Sequence, residues 1–253
     1  MSSKEDILRK YRANVREQFP MPDLSDLQAV HYDNPLQQFV EMSQSVGARV
    51  VPLAEGQTVE ALVKTLYPDA REIASNQPEV AAIATRNPDT VVSAEDLNGT
   101  DVGVIRGEFG VAENGCIWIP QHMQQRAVCF ISENLVILLP KSQVVSNMHE
   151  AYRRLRTAAA HSGTAAFDAY GYGTFISGPS KTADIAQVLV MGAQAARTVT
   201  VVLLMPSHSP PSISVHSHHL PVKYVLKLLN SFGSLEFSPY LCISKTMPPW
   251  WNW

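Results

Sequence analysis

The sequence predicts an α/β fold in which helices flank a parallel or mixed central sheet. Short β-prone runs alternate along the chain with segments whose apolar residues recur at helical spacing, as in strands joined by helices. Residues 135–139 and 197–204 are the most apolar of these runs, as expected for strands buried on both faces. A hydrophobic content of 45% and a charged content of 17% indicate a chain that can bury a large core.

The N-terminal part of the chain predicts a helical arm followed by alternating helices and strands. Charged and apolar residues alternate at helical spacing over residues 3–19, and Pro20 and Pro22 then end the segment, so we expect a helical arm within residues 1–34. Thr58 is a suitable N-cap for the second helix that follows. The next predicted elements are a helix over 35–46, a strand over 49–53, a helix over 58–67, a strand over 71–74 and a short helix over 79–85.

From residue 101 onward the β-prone runs are closely spaced. Asn114-Gly115 has the chemistry of a tight hairpin turn between two of them. A helix is expected over residues 142–156, and residues 197–204 are expected to form the last strand of the domain. The remaining runs predicted as strands are 102–105, 116–119, 127–131, 135–139 and 174–176.

Charge and cysteine content exclude several classes of partner and site. The formal net charge of −3 does not indicate the positively charged surface that binding to nucleic acid requires. Cys116, Cys129 and Cys242 contain no Cys-x-x-Cys pair, so we expect no zinc or iron–sulfur site and no disulfide framework. No apolar run is long enough to span a membrane and the N-terminus does not resemble a signal peptide, so we expect a cytoplasmic protein.

Residues 174–185 predict a strand, a Gly-Pro turn and a helix, with Ser180 at the helix N-cap. The free N–H groups and the positive end of the helix dipole would make this turn an anion site. The predicted ligand contacts are Gly178, Ser180, Lys181, Thr182 and Asp184. The alternative is an ordinary capped helix, and Asp184 argues against a bare phosphate site because it competes for the same positive charge.

Glu113 is the strongest candidate for a catalytic residue. It directly precedes the Asn114-Gly115 turn between β-prone runs, where a carboxylate can face a cleft. The alternative is a solvated residue that merely flanks a hairpin. A nucleophilic role for Cys116 is the weaker option, because a cysteine inside an apolar strand is more often an inert core residue.

Three segments resemble the lactate-utilisation (LUD) domain of the LutC/YkgG family. They are residues 101–119, 135–155 and 175–185. The last of them reads Phe-Ile-Ser-Gly-Pro-Ser-Lys-Thr-Ala-Asp-Ile, and the first contains Glu113. The resemblance extends over roughly residues 1–204, with Asn114 and Cys116 in place of the threonines usual in the family.

This resemblance implies a fold related to the NagB/RpiA/CoA-transferase superfamily and a role in a cytoplasmic L-lactate-oxidising system. Partner subunits would carry the iron–sulfur clusters, and this chain would bind a small anionic ligand; no cofactor is specified. The triplet at 113–115 also resembles the catalytic glutamate motif of class I CoA-transferases. Two alternatives therefore stay open, a standalone enzyme acting on a CoA ester, folate or phosphosugar, and a non-catalytic docking subunit.

Residues 206–253 differ from the rest of the chain in composition, since they hold seven of the 17 prolines and four of the eight histidines. We therefore expect three parts, a helical arm over 1–34, a LUD domain over 35–205 and an atypical tail over 206–253. The tail is either a poorly ordered segment foreign to the family or an extension that docks elsewhere. Histidines without nearby carboxylates or cysteines do not predict a metal site there.

Overall fold

The computed structural model describes residues 3–15, 28–120, 123–162, 173–183 and 188–205. Within these ranges the helices are α1 (Ser3–Asn14), α2 (Pro35–Ser45), α3 (Val59–Leu66), α4 (Val128–Ile131) and α5 (Met148–Ser162). The strands are β1 (Arg49–Pro52), β2 (Ile73–Ser75), β3 (Val102–Arg106), β4 (Phe109–Val111), β5 (Ile117–Pro120), β6 (Asn134–Pro140), β7 (Val144–Val145), β8 (Gly173–Ile176), β9 (Lys181–Thr182), β10 (Val190–Met191) and β11 (Thr198–Leu204). The predicted tail lies outside the described residues.

Five parallel strands form the central sheet, in the order β1-β11-β6-β3-β2. β6 and β11 lie side by side within it, paired from Asn134 beside Thr198 to Pro140 beside Leu204. The predicted α/β fold with a parallel central sheet is confirmed. Because the five strands run in one direction, their carboxyl ends meet at one edge, where open α/β sheets usually bind ligands.

Both faces of the central sheet are buried, which explains the continuous apolar runs in the sequence. Ile137 and Leu139 of β6 contact one cluster, which includes Phe39 of α2. Val136 lies on the opposite face in a second cluster, which includes Leu62 of α3. The strands therefore separate two hydrophobic layers, and polar side chains can reach solvent mainly at the strand ends.

The helices that cover the central sheet begin at polar caps. Asn34 Oδ1 accepts the Gln37 N–H at the start of α2 (3.1 Å), with Pro35 in the first turn. Thr58 Oγ1 accepts the Ala61 N–H at the start of α3 (3.1 Å), so the predicted cap is confirmed. These bonds satisfy N–H groups that have no partner within the helix.

A second sheet, in the order β7-β4-β5-β8, lies between the central sheet and α5. β4 and β5 are antiparallel on either side of Asn114-Gly115, so the predicted hairpin is confirmed. Ile117 faces the central sheet, whereas Trp118 faces α5 beside Phe175, with ring centroids 4.8 Å apart. Gly115 has φ +66°, and a Cβ there would lie 2.8 Å from the Ser43 backbone nitrogen, so the turn requires glycine.

Residues 127–131 were expected to form a strand, but the structure has helix α4 there. Val128 and Cys129 are buried in the cluster beneath the central sheet. An apolar run of this length fits the period of a strand or of a helix equally well, so its periodicity cannot separate the two.

Two predicted helices differ in extent from the structure. α5 begins at Met148 rather than at residue 142, because Val144-Val145 pairs with β4 as strand β7. The short helix expected over 79–85 is a 3-10 helix, Pro78–Val80. At the start of α5 a tertiary contact, the pairing of β7 with β4, overrides the helical pattern of the sequence. In the other segment the helix begins at Pro78 and is of the 3-10 type.

The predicted helical arm corresponds in part to α1, which has no buried side chain. The boundaries of arm, domain and tail stay predictions. Among the described helices, we find none with the length and apolar character required to cross a bilayer.

Ile137→Ala tests the buried centre of the sheet. Ile137 is fully buried in β6, and we expect its truncation to lower the free energy of unfolding by about 2–5 kcal/mol, because the lost methyl groups leave a cavity. Val92→Ala is the control: Val92 is 88% exposed, and the change should stay within about 0.5 kcal/mol. Urea denaturation followed by tryptophan fluorescence measures both, and equal small losses would contradict this packing.

Candidate functional site

The predicted anion site is a β-hairpin and not a helix N-terminus. After β8 the chain turns through Gly178-Pro179, and Lys181-Thr182 then pairs antiparallel with Val190-Met191. The helix N-cap expected at Ser180 is therefore wrong. Asp184 lies outside the described residues, so its predicted ligand contact stays a prediction.

The backbone of Ser180 explains why a hairpin forms here. Its N–H donates to the Ala196 carbonyl (3.0 Å), and its carbonyl accepts the Gly192 N–H (3.0 Å). Both partners come from residues that follow the hairpin strands. Because this pairing uses the Ser180 N–H, that group is not free to bind an anion.

The turn before the hairpin contacts the C-terminal end of α2. Gly178 has φ +67°, and a Cβ there would lie 2.6 Å from the Val46 carbonyl oxygen. Lys181 Nζ donates to the same carbonyl (2.7 Å), which places an ammonium group at the negative end of the helix dipole. Lys181 thus stabilises α2 in this structure, and the ligand contacts expected of Gly178, Ser180, Lys181 and Thr182 stay predictions.

Glu113 lies in the β4–β5 turn, beside the N-terminus of α5. Its carboxylate Oε2 accepts the Met148 N–H (2.9 Å), and its own N–H donates to the Ser146 carbonyl (3.0 Å). A carboxylate at this position satisfies an orphan N–H and faces the positive end of the helix dipole. The observed role of Glu113 is therefore to hold the β4–β5 turn on α5, and its catalytic role stays a prediction.

The start of α5 is held by a larger polar network. Asn147 Oδ1 accepts the Glu150 N–H (2.9 Å), and Glu150 Oε2 accepts the Ser146 N–H (2.9 Å). Asn147 Nδ2 also donates to the Val30 carbonyl (2.7 Å), and Ser146 Oγ lies 3.2 Å from His31 Nδ1. This network could not be predicted from the sequence pattern, because residues 30–31 are distant from α5 along the chain.

One hydrogen bond joins the two segments in which we predicted functional residues. Ser177 Oγ donates to the Asn114 carbonyl (2.9 Å), so the turn after Glu113 touches the turn before Ser180. Ser43 Oγ, on α2, donates to the Gly115 carbonyl (3.4 Å). We call this meeting of residues 113–115, 177–181 and the end of α2 the turn junction.

The two described cysteines are core residues, which agrees with the interpretation of Cys116 above. Burial raises the pKa of the Cys116 thiol to about 12 and that of Cys129 to about 12 as well. Both are therefore protonated at neutral pH and poor nucleophiles or metal ligands. Within the described ranges, no group of three or more His, Cys, Asp or Glu side chains could hold a metal ion.

A polar cluster that the sequence pattern did not predict lies at the carboxyl edge of the central sheet. Arg106, the last residue of β3, forms an ion pair through Nη2 with Glu79 Oε1, and its Nε donates to Gln77 Oε1 (3.1 Å). The side chains of Arg106 and Glu79 are 18% and 24% exposed. Arg106 Nη1 and Glu79 Oε2 are buried, and no described group of the chain bonds to either atom.

A signal for this cluster is present in the sequence. Polar residues, Asn76 and Gln77, follow β2, and an arginine ends β3, whose four other residues are buried. Neighbouring parallel strands bring such residues together at one sheet edge. The pairing of β2 with β3 was required to see it, and sequence periodicity does not specify which strands are neighbours.

A family model described as LUD domain matches residues 36–204. The chain belongs to the LUD domain family. The match includes all eleven described strands, the turn junction and the Arg106 cluster. The resemblance found in the sequence motifs is therefore confirmed.

Two curated relatives carry the name "Lactate utilization protein C". The protein of Anoxybacillus flavithermus (strain DSM 21510 / WK1) is 30% identical over 122 residues, which are 48% of this chain and 50% of the relative. The protein of Shouchella clausii (strain KSM-K16) is 30% identical over 107 residues, 42% of this chain and 44% of the relative. The chain thus spans about half the length of the curated relatives it matches.

A solved structure supports the fold of the LUD domain. The crystal structure of a DUF162 family protein from Deinococcus radiodurans matches with a TM-score of 0.51 and covers 70% of this chain and 99% of that chain. The sequence identity is 14%, so this likeness concerns the fold alone.

Gly178→Ala tests the turn junction. We expect a loss of about 1–3 kcal/mol in the free energy of unfolding, because alanine adds a positive-φ penalty and a clash with the Val46 carbonyl. Gly56→Ala is the matched control, since Gly56 also has positive φ (+74°) but no atom within 4 Å of an added Cβ. Urea denaturation measures both. A loss no larger than that of the control would contradict the close contact with α2.

Proposed function

We propose that this protein is a component of an L-lactate utilisation system in which lactate is oxidised to pyruvate. The observation that carries the proposal is its 30% identity to two proteins named Lactate utilization protein C. The LUD domain match extends the relationship over residues 36–204. Because the alignments cover about half of each relative, the activity and the partners of the whole proteins enter only as parts of this proposal.

Iron–sulfur subunits as partners are the second part of the proposal. Oxidation of lactate releases an electron pair, which an acceptor must carry away. Iron–sulfur clusters are commonly held by cysteine thiolates, usually more of them than the three cysteines of this chain. Cys116 and Cys129 are buried, and burial raises the pKa of each thiol to about 12, so neither is a ready ligand. Electron transfer is therefore assigned to separate subunits.

A cytoplasmic location belongs to the same proposal. Cys116 and Cys129 are free buried thiols, and unpaired cysteines are typical of a reducing compartment.

Glu113 stays the candidate catalytic carboxylate in this proposal, and Gly178, Ser180, Lys181 and Thr182 stay candidate contacts for a small anion. The Ser177–Asn114 hydrogen bond supports their proximity. A ligand at the turn junction must compete with existing bonds, from Lys181 to the Val46 carbonyl and from Met148 to Glu113. Each exchange reduces the affinity that such a site can reach.

Lactate-dependent dye reduction tests the proposed function. The proposed iron–sulfur partner subunits would be purified and assayed with and without the chain. We expect activity that requires the chain. An identical rate in its absence would overturn the proposal, and turnover of a CoA ester, folate or phosphosugar by the chain alone would favour a standalone enzyme instead.

Glu113→Gln, in the same assay, tests the catalytic carboxylate. Glutamine keeps an oxygen that can accept the Met148 N–H but cannot act as an acid, base or nucleophile. If Glu113 carries the chemistry, the rate falls by at least about a hundredfold while stability changes by less than about 1 kcal/mol. An unchanged rate would leave Glu113 with its helix-capping role alone. Glu55→Gln, in an exposed loop, is the control.

A further inference from the structure

A cleft lies at the amino edge of the central sheet, between the C-terminal end of α3 and the first residue of β2. Its volume is about 460 Å³, within the range of about 300–1,000 Å³ that is typical of small-molecule sites. Lys64 and Tyr67 line it at the end of α3, and Arg71 lines it from the connection to β2. Ile73 of β2 and Ile83, which follows the 3-10 helix, complete the wall. The cleft shares no residue with the turn junction.

The inner wall of the cleft is apolar. Ile73 is buried, and Tyr67, Ala70 and Ile83 are half-buried. All four belong to or pack on the hydrophobic cluster that includes Leu62 of α3. Because these side chains also line the cleft, part of their apolar surface faces it and not the core. An apolar body that fills the cleft would remove that surface from water, which favours binding.

The rim of the cleft is positively charged. Lys64 and Arg71 are both exposed there, and Lys64 Nζ pairs with Glu60 Oε1 (2.7 Å). No described carboxylate lies within ion-pair distance of the Arg71 guanidinium, although Asp101 attracts it from farther away. The rim therefore presents one guanidinium group that is open to an anion, and arginine binds carboxylates through two parallel hydrogen bonds.

Hydrogen bonds hold the walls of the cleft in place. Asp101 Oδ2 accepts the Arg71 N–H (2.8 Å), which fixes the connection between α3 and β2. The Tyr67 hydroxyl oxygen lies 2.8 Å from Thr200 Oγ1 on β11. The Ile73 carbonyl accepts the Thr85 N–H (2.8 Å), which holds the segment after the 3-10 helix beside β2. The cleft is therefore formed before any ligand binds, as specific sites require.

We propose that this cleft binds a small organic monoanion, with its carboxylate on Arg71 and an apolar body between Tyr67 and Ile83. A dianion such as a phosphate monoester fits less well, because the carboxylates of Glu60 and Asp101 add negative charge near the rim. A small polar anion such as acetate or lactate would leave the apolar wall unfilled. The site thus goes beyond the proposed role in lactate utilisation and does not rest on it.

Isothermal titration of the full chain with 2-naphthoate tests the site. We expect wild type to bind 2-naphthoate more tightly than acetate, which lacks the apolar body, and more tightly than 2-naphthalenemethanol, which lacks the charge. Arg71→Gln should raise the Kd of 2-naphthoate by about tenfold. Arg49→Gln is the matched control and should leave the Kd unchanged. Arg49 is also an exposed arginine at the amino edge of the sheet, but it begins β1, the edge strand opposite β2.

Ile83→Asp is a second, independent variant. It places a carboxylate against the apolar wall, where it repels the bound anion, so the Kd of 2-naphthoate should rise by about tenfold or more. Urea denaturation checks that each variant is folded. The comparison of 2-naphthoate with acetate and with the alcohol needs wild type alone, so the test stays decisive if a variant does not fold.

Any of the following outcomes would overturn the site. They are no binding of 2-naphthoate to wild type, an equal Kd for wild type, Arg71→Gln and Ile83→Asp, or tighter binding of 2-naphthyl phosphate than of 2-naphthoate. The titration uses the chain without partner subunits. Its result is therefore independent of the dye-reduction assay, and failure of this site is distinguishable from failure of the proposed function.

Discussion

Strands β6 and β11 are buried on both faces, and the rest of the domain is arranged around them. They pair over their full length in parallel register, with α2 and the second sheet on one side and α3 on the other. A buried polar group within these strands needs a hydrogen-bond partner. Thr200 of β11 has one, because its Oγ1 lies 2.8 Å from the Tyr67 hydroxyl oxygen. Because side chains in mid-strand must be apolar or paired, chemistry is confined to strand ends and connecting turns.

α2 shows how this constraint shapes the turn junction. Phe39 packs so closely on the second sheet that a Cβ at Gly110 would lie 2.8 Å from its ring. Because α2 is fixed there, its C-terminal end contacts both the Asn114-Gly115 turn and the turn at Gly178. Lys181 then meets the negative end of one helix, and Glu113 meets the positive end of another. Charged residues that suggest a ligand site in the sequence thus have structural partners in the fold.

The sequence predicted those features that depend on local chemistry. The central strands follow from apolar runs, the cap of α3 from Thr58, and the β4–β5 hairpin from Asn114-Gly115. Ser180 was misassigned because Gly-Pro-Ser-Lys-Thr suits a helix cap, whereas the bonds that decide its structure come from Gly192 and Ala196.

The Arg106 cluster was not predictable for a related reason. Its members lie on β3 and on the segment after β2, and only the pairing of those strands brings them together. The family motifs surround other residues, so the resemblance directed attention to Glu113 and to the turn at Gly178. An unsatisfied donor and acceptor on adjacent side chains can be recognised only from three-dimensional contacts.

A crystal structure of this protein grown with L-lactate would test most directly where the LUD domain meets its ligand. We expect lactate at the turn junction, in contact with Glu113 or Lys181, with the Lys181–Val46 or the Glu113–Met148 hydrogen bond replaced by a contact with the ligand. Lactate bound away from the turn junction, with both of those hydrogen bonds intact, would contradict this account.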